Sequence, residues 1–174
     1  SSKFVIDVKS TGLFFNNEVL EKNSCTVEMW KTGHSHMKRR VKEVNALCGF
    51  EKSGHFFIGE PIGLGFDDGL RSASMMIEYL DNYKNKSLSE LYSNLKTSYQ
   101  SPTMAPFCKD EEKYSVVDEI TDKIIQDKKN KINVTDCEIV ETNTVNGIRF
   151  SLSNGSWGLI RASSNKPSLV LSLI

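Results

Sequence analysis

Thr26-Val27-Glu28-Met29-Trp30-Lys31-Thr32-Gly33-His34-Ser35 is the stretch on which the reading of this chain turns. Its first half reads as a strand and its second half as a polar loop delivered at the strand's carboxyl end. Beyond the loop, Met37, Val41, Val44 and Cys48 recur at i, i+4, i+7 and i+11, the spacing of one helix face. Lys38, Arg39, Arg40 and Lys42 fall between them as a basic, solvated face. Strand, loop and helix in that order make the repeating unit of an α/β layered domain whose ligand loops sit at strand ends.

The pattern extends in both directions. Upstream, residues 4–8 form an apolar run expected to be a buried strand, and residues 9–12 a loop at its carboxyl end. A short helix is expected over residues 13–22. Downstream, residues 49–52 and 55–58 read as two short strands around a tight turn at Ser53-Gly54. Residues 63–66 form a loop, and Asp67 or Asp68 caps a helix through Leu70, Ala73, Ile77 and Leu80. Ser87-Leu88-Ser89-Glu90 is a capping box that opens a further helix through Leu91 and Leu95.

Ser101-Pro102-Thr103-Met104-Ala105-Pro106 breaks this rhythm, with Pro102 as a stiff hinge. The expected domains are therefore residues 1–101 and 102–174. The second has a helix over residues 114–126, with Val117, Ile120 and Ile124 on one face. Strands follow at residues 138–142, 148–152, 157–162 and 168–174, joined by turns that include Asn146-Gly147 and Asn154-Gly155. The fold class is thus α/β: a layered α/β domain, then an α+β module with an antiparallel sheet.

The chain has 174 residues, enough to bury a core without metal or disulfide staples. Basic and acidic residues number 22 each and cancel, so there is no general electrostatic case for nucleic acid or an acidic membrane. Any anion site must be local. No apolar run approaches the roughly 18–20 residues of a membrane span, and no signal-peptide pattern opens the chain. The start at Ser1-Ser2-Lys3 and the stop inside a strand-like run read as a fragment of a longer protein. Cys25, Cys48, Cys108 and Cys137 form no C-x-x-C pair. They read as reduced thiols, three of them buried, in a cytoplasmic protein.

Three polar clusters carry candidate chemistry. Glu51 and Ser53 offer a carboxylate and a hydroxyl that can pair with adjacent ring hydroxyls of a sugar, and Gly54 allows close approach. A plain surface hairpin would look the same. His34 and His55 can relay protons or bind phosphate when charged. Either can equally be structural, and His34, His36 and His55 together are also compatible with a metal-dependent hydrolase. Arg161, Ser163, Ser164 and Asn165 lie between two strands and suit phosphate oxygens, through a guanidinium fork, hydroxyls and loop amides. Lys9 and Lys31 are lone basic groups at strand ends. No P-loop, dinucleotide fingerprint or G-x-S-x-G elbow is present.

In order, the chain contains Asp7-Val8-Lys9, Trp30-Lys31-Thr32-Gly33-His34-Ser35, Glu51-Lys52-Ser53-Gly54-His55, Phe66-Asp67-Asp68-Gly69 and Trp157-Gly158-Leu159-Ile160-Arg161-Ala162-Ser163. This series resembles the C-terminal half of the bacterial phosphomannomutase/phosphoglucomutases, of the α-D-phosphohexomutase superfamily, over nearly the whole chain. The resemblance implies a four-domain isomerase that moves a phosphoryl group between the 1- and 6-positions of glucose or mannose phosphate through a bisphosphorylated sugar. It implies most of the third domain and most of a fourth, TATA-binding-protein-like domain. It also implies Mg2+ and glucose 1,6-bisphosphate as cofactor and intermediate, and the missing N-terminal domains of the same protein as partner.

By residue, the resemblance places Glu51, Ser53 and His55 on the sugar loop, with Lys31, Thr32, Gly33 and His34 beside it. Lys9 and His34 match positions near the reacting groups, where an acid, base or electrostatic role is open. Arg161, Ser163, Ser164 and Asn165 match the loop that holds the phosphate not being transferred. Phe50, Asn165 and Lys166 depart from the family pattern, which has Gly, Thr and Glu there. The phosphoserine and Asp-rich metal loops of the family do not occur in these residues, so no metal ligand is expected and the fragment alone is expected to be inactive. A non-catalytic phosphosugar-binding module is the alternative.

Overall fold

Val5 and Ile6 have no exposed surface; they lie in the strand β1 (Lys3–Asp7), which has a neighbour on each side. β2 (Thr26–Trp30) and β3 (Cys48–Phe50) both run parallel to β1, and β4 (Phe56–Ile58) returns antiparallel to β3, giving the order β2-β1-β3-β4. Parallel strands need crossovers, and α1 (Glu18–Lys22) and α2 (His34–Glu43) lie in them. The computed structural model describes residues 2–15 and 17–174, and the chain divides into two units, Ser1–Thr97 and Ser98–Ile174.

In the first unit, α2 presses Met37 and Val41 onto Val5, Ala46 and Phe57, with Trp30 and Val44 packed alongside. The expected helix overran its end. Asn45 adopts a left-handed φ of 51°, the helix stops at Glu43, and Cys48 enters β3 instead of a fourth helical turn. Nor is the basic face uniformly solvated. Arg40 folds back, donating from Nη2 to Glu28 Oε1 at 2.6 Å and stacking its guanidinium 4.2 Å from the Trp30 ring centroid. The bond to Glu28 raises the Arg40 pKa above its ordinary value.

The helix expected over residues 13–22 is two pieces, a 3-10 turn (Gly12–Phe14) and α1; Asn16, between them, lies outside the described residues. The break has a local cause. Asn17 Oδ1 accepts the amides of Val19 and Leu20, which starts a new helix at Glu18. Asp68 caps α3 (Gly69–Asn82) through the Arg71 amide at 2.9 Å, and Ser87 with Glu90 closes the capping box of α4 (Leu88–Ser93). Leu70 and Ile77 of α3 stay exposed.

In the second unit, α5 (Lys113–Lys129) lays Val117 and Ile124 against an antiparallel meander of β5 (Ile139–Asn143), β6 (Ile148–Leu152), β7 (Trp157–Ala162) and β8 (Leu169–Leu173). Its core joins Ile124, Ile139, Ile148 and Phe150. Ser101, Met104 and Phe107 run beside β8, with the Ser101 amide on Leu173 O and isolated bridges at Met104 and Phe107. All four cysteines are free thiols. Only Cys48 is buried, against the three expected, because Cys25, Cys108 and Cys137 sit at partly exposed positions. Burial pushes the Cys48 thiol up to about 12. Among the described residues, no helix is long and apolar enough to cross a membrane.

Candidate functional site

Because β1, β2 and β3 are parallel, the loops that leave their carboxyl ends emerge at one edge of the sheet. Two carboxylates stitch these loops together. Asp7, at the end of β1, is fully buried. Its Oδ1 accepts the Ser10 hydroxyl at 2.6 Å and the Lys52 amide at 3.2 Å; its Oδ2 faces the Thr32 hydroxyl at 3.0 Å and Lys9 Nζ at 3.3 Å. Glu51, just after β3, is also buried. Its Oε1 accepts the Gly33 amide at 2.6 Å and lies 3.2 Å from the Thr32 hydroxyl.

Gly33 occupies the N-cap of α2 with φ 113°, a conformation that side chains disfavour, and has no side chain with which to cap. Glu51, in the loop after β3, instead takes the amide of Gly33 itself, and its negative charge lies at the positive end of the helix dipole. One oxygen of the expected sugar-binding carboxylate is therefore committed to the protein. The described residues put no bond on the other, Oε2. Thr32 likewise spends its hydroxyl inside.

The remaining expected residues surround this lattice. Lys31 and His34 are exposed, and no described residue bonds either side chain. Ser53 is exposed at the β3–β4 turn, where the Gly54 amide donates to Glu51 O. His55 follows, with Nδ1 2.5 Å from Asp67 Oδ2. Lys52 has its pKa lowered, first by burial and then by the nearby charge of Lys9, with Asp7 opposing. Among the described residues no three His, Cys, Asp or Glu side chains gather as a metal ion would need, His34, His36 and His55 included.

The second unit carries the other cluster. The turn between β7 and β8 is closed by Ser163, whose hydroxyl accepts the amides of Asn165 (3.4 Å) and Lys166 (3.2 Å). Ser164 and Asn165 are left exposed. Arg161 is half-buried, with Nη1 donating to Ala162 O at 3.0 Å. Gly147 packs against it: a Cβ there would lie 2.7 Å from the Arg161 Cβ, so only glycine fits. Lys113, buried on α5, bonds Asp110 Oδ1 at 2.7 Å and Lys166 O at 3.3 Å, which anchors the turn from beneath.

Sequence reasoning gave no role to Asp7, quoted only within Asp7-Val8-Lys9, and did not single out Lys113. Asp7 had a signal, as the one charge inside the apolar run Phe4-Val5-Ile6-Asp7-Val8. Lys113 had none, since it lies in a charge-rich stretch that reads as solvated surface.

Residues 1–99 match the family profile described as phosphoglucomutase/phosphomannomutase, alpha/beta/alpha domain III. A phosphomannomutase/phosphoglucomutase of Pseudomonas putida is 33% identical over 172 residues, covering 98% of this chain and 33% of that protein. A phosphoglucomutase of Neisseria meningitidis is 33% identical over 171 residues, covering 98% and 34%. The solved structure of a phosphoglucomutase/phosphomannomutase family protein from Burkholderia thailandensis superposes with a TM-score of 0.74 at 25% identity, over 99% of this chain and 33% of that one. The chain thus spans about a third of the length of the relatives it matches.

Proposed function

Since the chain belongs to the phosphoglucomutase/phosphomannomutase family, we propose that it is the C-terminal part of a mutase that interconverts hexose 1-phosphate and hexose 6-phosphate, of glucose or mannose type, through a bisphosphorylated sugar. The observation that carries this reading is the stitched edge at Asp7, Thr32 and Glu51, which fixes three loops while leaving Lys31, His34 and Ser53 exposed.

Glu51 Oε2 and the Ser53 hydroxyl take ring hydroxyls of the sugar, and Lys31, Gly33 and His34 border the same ligand. Lys9, held by Asp7, and His34 supply charge or a proton near the transferring phosphoryl group. In the second unit, Arg161, Ser164, Asn165 and the amides ordered by Ser163 take the phosphate at rest.

Family membership implies Mg2+ as the cofactor of the whole mutase. The ion, like the phosphoryl-bearing serine, belongs on this reading to other parts of the mutase, and residues 1–174 bind sugar phosphate without turnover. Four free thiols agree with a reducing, cytoplasmic setting.

The test is titration of the 15N-labelled chain with glucose 1,6-bisphosphate. Saturable shifts at residues 31–34, 51–55 and 161–165 are expected. Shifts confined to other residues at saturating ligand would overturn the assignment.

A further inference from the structure

Phe66-Asp67-Asp68-Gly69 carries two adjacent aspartates that the proposed function does not use. Asp68 has a structural task, capping α3. Asp67 faces elsewhere. Its backbone forms an isolated antiparallel bridge with Phe57 of β4, which holds residue 67 alongside the hairpin that ends the sugar loop. Both of its carboxylate oxygens are used there: Oδ2 lies 2.5 Å from His55 Nδ1, and Oδ1 accepts the Phe56 amide at 3.4 Å.

An ionised carboxylate can only accept hydrogen bonds. Its partner nitrogen must therefore carry the proton, so Nδ1 of His55 is N–H. In the neutral ring the second nitrogen, Nε2, is then left with a lone pair. The same carboxylate grips the ring at residue 55 and the backbone at residue 56, so the imidazole is oriented relative to Glu51 and Ser53 on one short hairpin.

We propose that Asp67 is a positioning residue that holds His55 as the Nδ1–H tautomer, with Nε2 presented as a proton acceptor toward a ligand hydroxyl. As neutral imidazole, Nε2 accepts a hydrogen bond from the sugar. If it takes that proton, the ring becomes a cation whose charge faces Asp67, and Nε2–H turns into a donor to an anionic oxygen. The identity of the ligand rests on the mutase reading; the tautomer does not.

The test is ring 15N spectroscopy of the 174-residue chain at a pH where the imidazoles are neutral. The chain has three histidines, and His34→Gln and His36→Gln variants assign the third. His55 is expected to show a protonated Nδ1 and an unprotonated Nε2, and Asp67→Ala is expected to invert that ratio toward the Nε2–H form that free histidine favours in water. A wild-type His55 in the Nε2–H form, or an unchanged ratio in Asp67→Ala, would overturn the proposal. If the alanine variant does not fold, Asp67→Asn gives a second reading. A neutral acceptor in place of a charged one moves the Nδ1–H proton resonance upfield, and an unmoved resonance also overturns the assignment. Should glucose 1,6-bisphosphate leave the His55 Nε2 resonance untouched while the tautomer is as stated, it is the ligand reading that fails.

Discussion

Replacing Asp7 with alanine removes the acceptor on which three loops converge. The carboxylate has no exposed surface and serves the Ser10 hydroxyl, the Thr32 hydroxyl, the Lys52 amide and the Lys9 ammonium. Hydrogen bonds to a charged group are worth about 1.5–3 kcal/mol each, but these do not add in full. The Ser10 hydroxyl can rotate, and Thr32 still has Glu51 at 3.2 Å. What cannot be recovered is the partner of the Lys52 amide and the counter-charge of Lys9. Breaking one side of a buried pair costs about 3–5 kcal/mol; because the Lys9 side chain is 23% exposed and can turn to water, the lower part of that range, about 3–4 kcal/mol, is the expected loss here. Each unit holds one tryptophan, Trp30 and Trp157, so a Trp157→Phe background makes fluorescence report the first unit alone. With a urea slope of about 1.5 kcal/mol/M, the Trp30 transition should move down by about 2–3 M in Asp7→Ala. A fall of less than about 0.5 M would refute the claim that this carboxylate holds the edge together.

Other expectations are narrower. Arg161→Ala should weaken binding of glucose 1,6-bisphosphate by about 1.5–3 kcal/mol in calorimetry, and equal affinities would rule out its phosphate role. Glu51→Gln keeps the shape but removes the charge at the start of α2, and should cost the first unit about 1–2 kcal/mol in the same urea assay; no change would mean the cap is idle. Cys48, with its thiol at about 12 against an ordinary 9.0, should carry about a thousandfold less thiolate than an unperturbed thiol. Mass spectrometry after iodoacetamide at pH 8 should find Cys25, Cys108 and Cys137 modified first. Because this thiol keeps its proton longer in the folded state than in the unfolded one, its contribution to stability is intact below about pH 9 and is lost as the pH climbs toward 12.

Much of the fold was legible because its signals are local. β2 begins and ends where the sequence reading put it, as do β6 and β7, and the caps at Asp68 and Ser87 are the ones expected. Periodicity misled where one residue outweighed it. Cys48 kept the helical spacing, but Asn45 had already turned the chain out of the helix. The bonds that these residue types make inside the protein were not legible. Glu51 was read as a ligand group, and its bond to the start of α2 was hidden, because the Gly33 amide and its acceptor are 18 residues apart in sequence. Arg40 was read as solvated because nothing in sequence brings it to Glu28 and Trp30 on a different element.

The hydroxyl of Thr32 stands between two carboxylates, 3.0 Å from Asp7 and 3.2 Å from Glu51, and it owns a single hydrogen. At any instant it can satisfy only one of them. A turn about one side-chain torsion passes that hydrogen from the end of β1 to the loop after β3, with no backbone movement. A donor that reached Glu51 would leave the threonine hydrogen to Asp7, which has no exposed surface of its own, so the two carboxylates are coupled through one rotating hydroxyl.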